Sequence, residues 1–446
     1  MARPCLVYAD QQGNIYDYPD LGMAGSAAGA WEAVDENQCI PLPEGSELFL
    51  LPGRLPVGAD LSGRFEVLED DPVNPNQRPQ AVAAFMAPAH TATLNAAWRS
   101  LPNAPTLPLF AYAAVGYVRG RFVVTGLRVD PLPRQDANRF PAPERIASQA
   151  RRLMRTHAKN RLWQHLGTCA LTYCCPAARN LMLGRWEGPL PTSPACNAGC
   201  LGCLSHQPEG RFPATQERIK FSPSAHEVAE VALHHFAHGR ESLVSFGQGC
   251  EGEPLLMGDL LAESINLIRQ KEPRGTINLN SNGSLPGVVQ RLMREGLSSL
   301  RVSVNSLIPE RHQAYYRPQG WSLSDAIESI RAVKRHGGFC SINLLCLPGV
   351  TDRPEEVAAL FDLVESTRLD LIQWRNLNID PEVYLAELGL TAPTEHLGME
   401  RLIKEAKLRF PWLRHGYFNP RLNATPASTP EGLPRRGRRK LVRPQD

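Results

Sequence analysis

The sequence predicts an α/β protein: a partial (βα)6 TIM-like barrel with an additional β-rich N-terminal domain. Three observations predict it. Short apolar runs at 242–246, 276–280, 299–304, 340–347 and 369–374 alternate with stretches of helical period, the signature of a parallel sheet with crossover helices. Capping and breaking residues bound those stretches. Before about residue 140 the texture differs, with Pro, Gly and brief β-like runs in place of long helices.

Within 1–140 the β-like runs are Leu48 to Leu51, Phe65 to Leu68 and Phe122 to Thr125, the last preceded by a hairpin-like Arg119-Gly120-Arg121. A Pro-rich link, 131–143, leads into a helical linker spanning 141–184. Its helix, predicted over 144–166, has Ile146, Ala150, Leu153 and His157 on one face. Arg145, Arg151, Arg152, Arg155, Lys159 and Arg161 occupy the other face; a solvated surface is the plain reading and a phosphate-bearing partner such as RNA the sharper one.

The barrel is expected over 185–381. A first strand precedes Cys196. Ser224 with Glu227 three later caps a helix bearing Val228, Val231 and Phe236, and 256–271 repeats Met257, Leu260, Leu261 and Ile268. Gly296 closes the helix of Val289, Leu292 and Met293. Leu323, Ile327, Ile330 and Val333 form a stripe ended by Gly337-Gly338; Val357, Leu360, Phe361 and Val364 form the next, opened by Asp352 and Pro354. Six such units suit an open barrel. A helical segment, 382–425, follows, and then a basic tail, 426–446, with Arg435, Arg436, Arg438, Arg439, Lys440 and Arg443 as solvated charge or an RNA contact.

With 446 residues, 43% hydrophobic and 21% charged, the chain has the composition of a folded globular protein. A net charge of +3 argues for no global attraction to nucleic acid or anionic membrane. The sequence shows neither a signal-peptide core nor an apolar run of membrane-spanning length, which predicts a cytoplasmic protein with no membrane partner. In that compartment eleven cysteines are expected to be thiols, so clustered ones point to metal or redox chemistry.

The strongest cluster is Pro194-Ala195-Cys196-Asn197-Ala198-Gly199-Cys200-Leu201-Gly202-Cys203, three thiols spaced C-x3-C-x2-C in a loop with two glycines. Glycine permits the tight turns that aim several thiolates at one centre. Three ligands leave one iron of a cubane free, and an open position marks a centre that binds a cofactor or substrate.

These residues resemble the radical S-adenosylmethionine (SAM) superfamily, whose members carry this spacing after the first barrel strand; Gly202 stands where the family usually has an aromatic. The resemblance implies a [4Fe-4S] cluster on Cys196, Cys200 and Cys203, with S-adenosyl-L-methionine chelating the fourth iron. It further implies reductive cleavage to a 5′-deoxyadenosyl radical, hydrogen abstraction from an unidentified substrate, and an electron donor such as flavodoxin or ferredoxin. The rival reading uses His206 to complete a Cys3His zinc set, in a non-catalytic iron–sulfur or zinc module that docks on RNA through the 144–166 helix and the tail.

A second motif, Ser245-Phe246-Gly247-Gln248-Gly249-Cys250-Glu251-Gly252-Glu253-Pro254, runs off the next strand. A Gly-rich strand end lets backbone approach a ligand, and the C-terminal mouth of a β/α barrel is where ligands bind. It is similar to the family's Gly-Glu-Pro element, which implies SAM contacts at Glu251, Gly252, Glu253 and Pro254.

Further strand ends supply Asn282, then Ser303 and Asn305 on one face of RVSVNS, then Asn343 and Arg375, as candidate contacts to ribose, SAM carboxylate or an anionic substrate. Gln373, Asn376 and Asn378 are further polar residues in the sixth strand, and Tyr315-Tyr316-Arg317-Pro318 either covers the mouth or packs as a loop. Cys169, Cys174 and Cys175 form a second cysteine group, read as an auxiliary metal site or as small buried thiols. No cysteine follows Cys346, so the cysteine-rich C-terminal extension of many peptide-modifying family members is missing.

Overall fold

The structure is a computed structural model that describes residues 3–393 and 395–422. The basic tail expected at 426–446 lies outside the described residues.

Two sheets organise the chain. The first, of 13 strands between Cys5 and Arg128, pairs antiparallel throughout. The hairpin expected at Arg119-Gly120-Arg121 joins strands Val115–Val118 and Arg121–Arg128, with Arg119 and Gly120 both at positive φ, as a tight two-residue turn requires.

The second sheet has seven parallel strands in chain order: Arg185–Pro189, Arg240–Phe246, Thr276–Ser281, Ser299–Val304, Phe339–Cys346, Leu371–Asn376 and Arg414–Gly416. The last is one more than the sequence count, because a three-residue strand carries too little apolar periodicity to be read. The sheet is open: its first and last strands do not pair. Val302, Val304, Ile342, Leu344 and Ile372 point outward and are buried under the helices. Their neighbours Arg301, Ser303, Asn343 and Arg375 point inward and stay half-buried, as residues lining a cavity do.

The helix read as continuous over 144–166 is two helices, Pro143–Thr156 and Arg161–Leu171. Asn160 breaks it. Its side chain accepts from Leu162 N–H at 2.9 Å and Trp163 N–H at 3.2 Å and so caps the second helix. His157 then stacks on Trp163, ring centroids 4.7 Å apart. The basic side chains of the first helix are exposed, and Arg161 is paired with Glu227.

The N-terminal sheet docks on the mouth of the barrel. Thr91 Oγ1 donates to Trp374 O at 2.6 Å, Ala92 N–H to Asn376 Oδ1 at 2.8 Å, and Asn376 Nδ2 to His90 O at 3.0 Å. Asn376 is thus spent on joining the two parts. A buried ion pair, Arg54 to Asp380 at 2.9 Å, adds a charged anchor, with Leu107 N–H on the same carboxylate oxygen. No helix of the described residues is long and apolar enough to cross a membrane.

Candidate functional site

The cysteine loop leaves the end of the first barrel strand and lies against the loop after the second. Gly252 N–H donates to Ser193 O at 2.7 Å and Glu253 N–H to Ala195 O at 2.9 Å. Gly252 is required by this join, since a Cβ there would sit 1.9 Å from Ala195 O. Gly247 is held likewise, at φ +77°, with Asn280 O occupying the place of a side chain.

Glu251 is buried and fixes both loops. One carboxylate oxygen accepts from Thr192 N–H and Ser193 N–H at 2.7 and 3.0 Å, the other from Gly247 N–H and Gln248 N–H at 2.7 and 2.8 Å. Thr192 Oγ1 adds a fifth donor at 3.2 Å. A carboxylate has about four lone-pair sites, so Glu251 orients the two loops and has none left for a ligand.

Glu253 ties the second strand end to the third. It accepts from Leu255 N–H at 2.9 Å, Ser281 Oγ at 2.6 Å and Asn282 N–H at 2.9 Å. Burial pushes its carboxyl up to about 7, against the pull of these donors. Pro254 opens the short helical turn that Glu253 caps. Asn282 Nδ2 reaches back to Asn197 Oδ1 in the cysteine loop at 2.9 Å, so three strand ends are laced together.

Cys196, Cys200 and Cys203 line one cavity of about 330 Å³, with His206, Arg218 and Arg317 on its wall. Burial, and next the Glu253 charge, holds the Cys196 thiol up; burial, and then Cys203 and Cys196, holds Cys200 well up. Arg218 Nη2 lies 3.5 Å from Cys203 Sγ. The thiols and His206 do not gather within 4.8 Å of one another. Sulfurs around a single tetrahedral zinc would stand roughly 3.8 Å apart for Zn–S bonds of about 2.3 Å. Three thiols facing one cavity from separate corners fit a cubane cluster better than one ion.

Gly202 has a structural explanation. A Cβ there would lie 2.8 Å from the Tyr315 hydroxyl, so an aromatic from elsewhere in the chain fills that space. Tyr315 and Tyr316 end the helix Pro309–Tyr316, and their carbonyls accept from Leu201 N–H and Gly199 N–H at 3.0 and 2.9 Å. The Tyr-Tyr-Arg-Pro run therefore packs on the cysteine loop.

Inside the barrel, Ser303, Asn343 and Gln373 stand level on adjacent strands. Asn305 Nδ2 donates to Tyr384 Oη at 3.0 Å, while its Oδ1, Asn343 Oδ1, Arg301 Nε and the Tyr316 hydroxyl are buried without partners. Such groups are costly unless a ligand satisfies them. Arg375 packs over the Tyr417 ring at 4.1 Å and donates to Tyr417 O at 3.2 Å. Among the described residues neither Arg301 nor Arg375 has a carboxylate within ion-pair distance; burial, and then Arg375, lowers Arg301 to about 10. The floor is closed by Asn419, which donates to Glu187 at 2.7 Å and Asn280 at 3.0 Å and accepts from Gln373 at 2.9 Å.

Sequence reasoning missed Arg301, Asn197 and Asn419. Arg301 was findable, because it shares strand parity with Ser303 and Asn305; Asn419 lies beyond the barrel motifs and carried no local signal.

Residues 190–361 match the family model described as the Radical SAM superfamily. GTP 3′,8-cyclase of Marinobacter nauticus is 27% identical over 187 residues, which are 41% of this chain and 51% of that protein. Molybdenum cofactor biosynthesis protein 1 of Bos taurus is 25% identical over 178 residues, 40% of this chain and 26% of that protein. The chain thus spans about half of the first relative and a quarter of the second. Among solved structures, anSMEcpe with bound AdoMet is 16% identical with a TM-score of 0.34, over 43% of this chain and 52% of that one.

Proposed function

We propose that this chain, which carries a Radical SAM superfamily domain over residues 190–361 with a [4Fe-4S] cluster and S-adenosyl-L-methionine as its cofactors, is an enzyme that cleaves SAM reductively to abstract hydrogen from a substrate bearing an anionic group. Cys196, Cys200 and Cys203 hold the cluster. A bound cluster would supply one-electron reduction of the SAM sulfonium, the electron coming from a flavodoxin- or ferredoxin-type donor, and with it the means of abstracting a substrate hydrogen atom.

The observation that carries this reading is the backbone join of Gly252 to Ser193 and Glu253 to Ala195, which fixes the Gly-Glu-Pro turn against the thiol loop. Around it the protein's own groups have separable tasks. Glu251 and Glu253 set the positions of the strand ends, and Asn282 registers the third strand on Asn197. The unpartnered amide oxygens of Asn305 and Asn343, beside Ser303, suit the hydroxyls and amines of a nucleoside. Arg301 and Arg375, two cations without carboxylate partners among the described residues, suit a carboxylate or phosphate. Tyr315 and Tyr316 are buried against the thiol loop and hold it through their carbonyls.

The test is anaerobic reconstitution with iron and sulfide, followed by dithionite and SAM. The expected result is a brown protein that retains cluster iron and releases 5′-deoxyadenosine, with both lost in the Cys196→Ala, Cys200→Ala, Cys203→Ala variant. Wild-type protein that holds no iron, or releases no more nucleoside than the triple variant, would overturn the proposal.

A further inference from the structure

A second group of donor side chains converges away from the thiol loop. Among the described residues, one set of His, Cys, Asp or Glu ligand atoms lies with every member within 4.8 Å of the others: His165, Cys169 and Cys250. They come from two parts of the chain. His165 and Cys169 are four residues apart on the helix Arg161–Leu171 and share a face. Cys250 lies in the turn between the second barrel strand and the Gly-Glu-Pro motif, its carbonyl held by Ile219 N–H at 2.8 Å. Both thiols are buried and the imidazole is half-buried.

The spacing is that of ligands around one ion. Cys169 Sγ is 3.6 Å from His165 Nε2. The sulfur-to-nitrogen edge of a zinc tetrahedron is roughly 3.6 Å for Zn–S of about 2.3 Å and Zn–N of about 2.0–2.1 Å. Thiols gathered this closely are too near each other for separate corners of a cubane, and two of them with an imidazole form the borderline donor set that zinc favours.

We propose that His165, Cys169 and Cys250 ligate one zinc-type divalent ion that pins the helix before the barrel to the turn carrying Glu251 and Glu253. Cys175 lies close by, but its thiol is outside the group of atoms within 4.8 Å of one another, which leaves the fourth position to water. Its amide bonds to Cys169 O at 3.1 Å, which turns the chain back under the cluster. Cys174, by contrast, is exposed and at φ +54°, and takes no part. Binding displaces the thiol protons and leaves a neutral or singly charged centre in place of two buried thiols. A Cys169–Cys250 disulfide would join the same sulfurs but leave the aligned imidazole without a role.

The cluster-loaded protein, purified under oxygen protection from zinc-sufficient cells, is expected to hold one zinc per chain beside its iron. His165→Ala and Cys169→Ser each drop zinc to background while iron stays at the wild-type level. Should those variants fail to fold, wild-type protein grown on cobalt is expected to show the visible d–d bands of tetrahedral cobalt thiolate, and the zinc absorption edge to report sulfur and nitrogen neighbours. A wild-type chain with no metal beyond the cluster overturns the proposal. So does zinc that survives both substitutions, or a Cys169–Cys250 disulfide in the oxygen-protected protein. Zinc and iron are counted separately, so a missing cluster would not disguise the result.

Discussion

Gly252→Ala tests whether the join between the two loops governs the site. The added methyl would lie 1.9 Å from Ala195 O and 2.5 Å from the same residue's carbonyl carbon, both backbone atoms that cannot rotate away. Ordinary contact begins at 3.4 Å, so the loops must part by about 1.5 Å. The bonds Gly252 to Ser193 and Glu253 to Ala195, 2.7 and 2.9 Å long, do not survive that opening. Overpacking costs about 1–3 kcal/mol, and two hydrogen bonds add about 1 kcal/mol each, for a total of about 3–5 kcal/mol. Because Ala195 precedes Cys196, the displacement carries the first thiol with it. The expected outcome is a lower thermal midpoint, weaker retention of cluster iron, and slower release of 5′-deoxyadenosine. Gly287→Ala is the control: nothing lies within 4 Å of its Cβ, so it should be neutral or stabilising by up to about 1 kcal/mol. Gly252→Ala protein with wild-type midpoint, iron content and nucleoside release would refute the reasoning.

The remaining predictions probe other joints of the same design. Asn343→Leu replaces a half-buried amide whose oxygen is buried without a partner by an isosteric apolar side chain; the protein alone should be as stable or more so, while SAM binding by calorimetry weakens by roughly tenfold, the worth of one hydrogen bond. Asp380→Ala strips the buried Arg54 of its buried carboxylate, leaving only the half-exposed Glu382 at 3.7 Å, and should cost about 3–5 kcal/mol by denaturant unfolding, whereas Arg54→Met with Asp380→Leu should recover most of the loss. Glu253, raised from 4.5 to about 7 by burial, favours the fold in its protonated form. Its contribution is therefore full below about pH 4.5 and lost as pH rises through about 7, so the urea midpoint of the wild type should fall between pH 5 and 8 by more than that of Glu253→Gln. A Gln variant with the same slope would assign the pH dependence to other groups.

The barrel was legible because its signals are local. A strand such as Thr276–Ser281 is a run of buried residues, Ser224 and Glu227 form the reciprocal capping box that their spacing announced, and Gly296 takes the left-handed conformation, φ +105°, that ends its helix. The thiol spacing was legible for the same reason, since three cysteines within eight residues need no fold to be brought together. What escaped were groups whose roles depend on residues far along the chain. Glu251 reads as a ligand group in the motif, yet its oxygens are consumed by amides 58 and 59 residues upstream and by its own turn. Gly202 reads as a deficit until Tyr315 is found in its place. The gathering of His165 and Cys169 with Cys250 was hidden in the same way, because helix periodicity joins Cys169 to His165 and only the barrel brings in Cys250, while the adjacent Cys174 is exposed.

The docking of the N-terminal sheet follows the same logic. Its strand His90–Ala92 bonds to the end of the sixth barrel strand through Thr91 and Asn376, and its backbone at Ala27 comes so near Gly349 that a Cβ there would lie 2.4 Å from it. Both contacts fall at C-terminal strand ends, the rim where barrel ligands bind. Arg375 stands one residue before Asn376, so the cation suited to an anionic substrate and the amide that fastens the sheet are consecutive positions of one strand, on opposite faces. If Arg375 holds an anionic group as proposed, its position and the seating of the N-terminal sheet at Asn376 rest on one backbone segment.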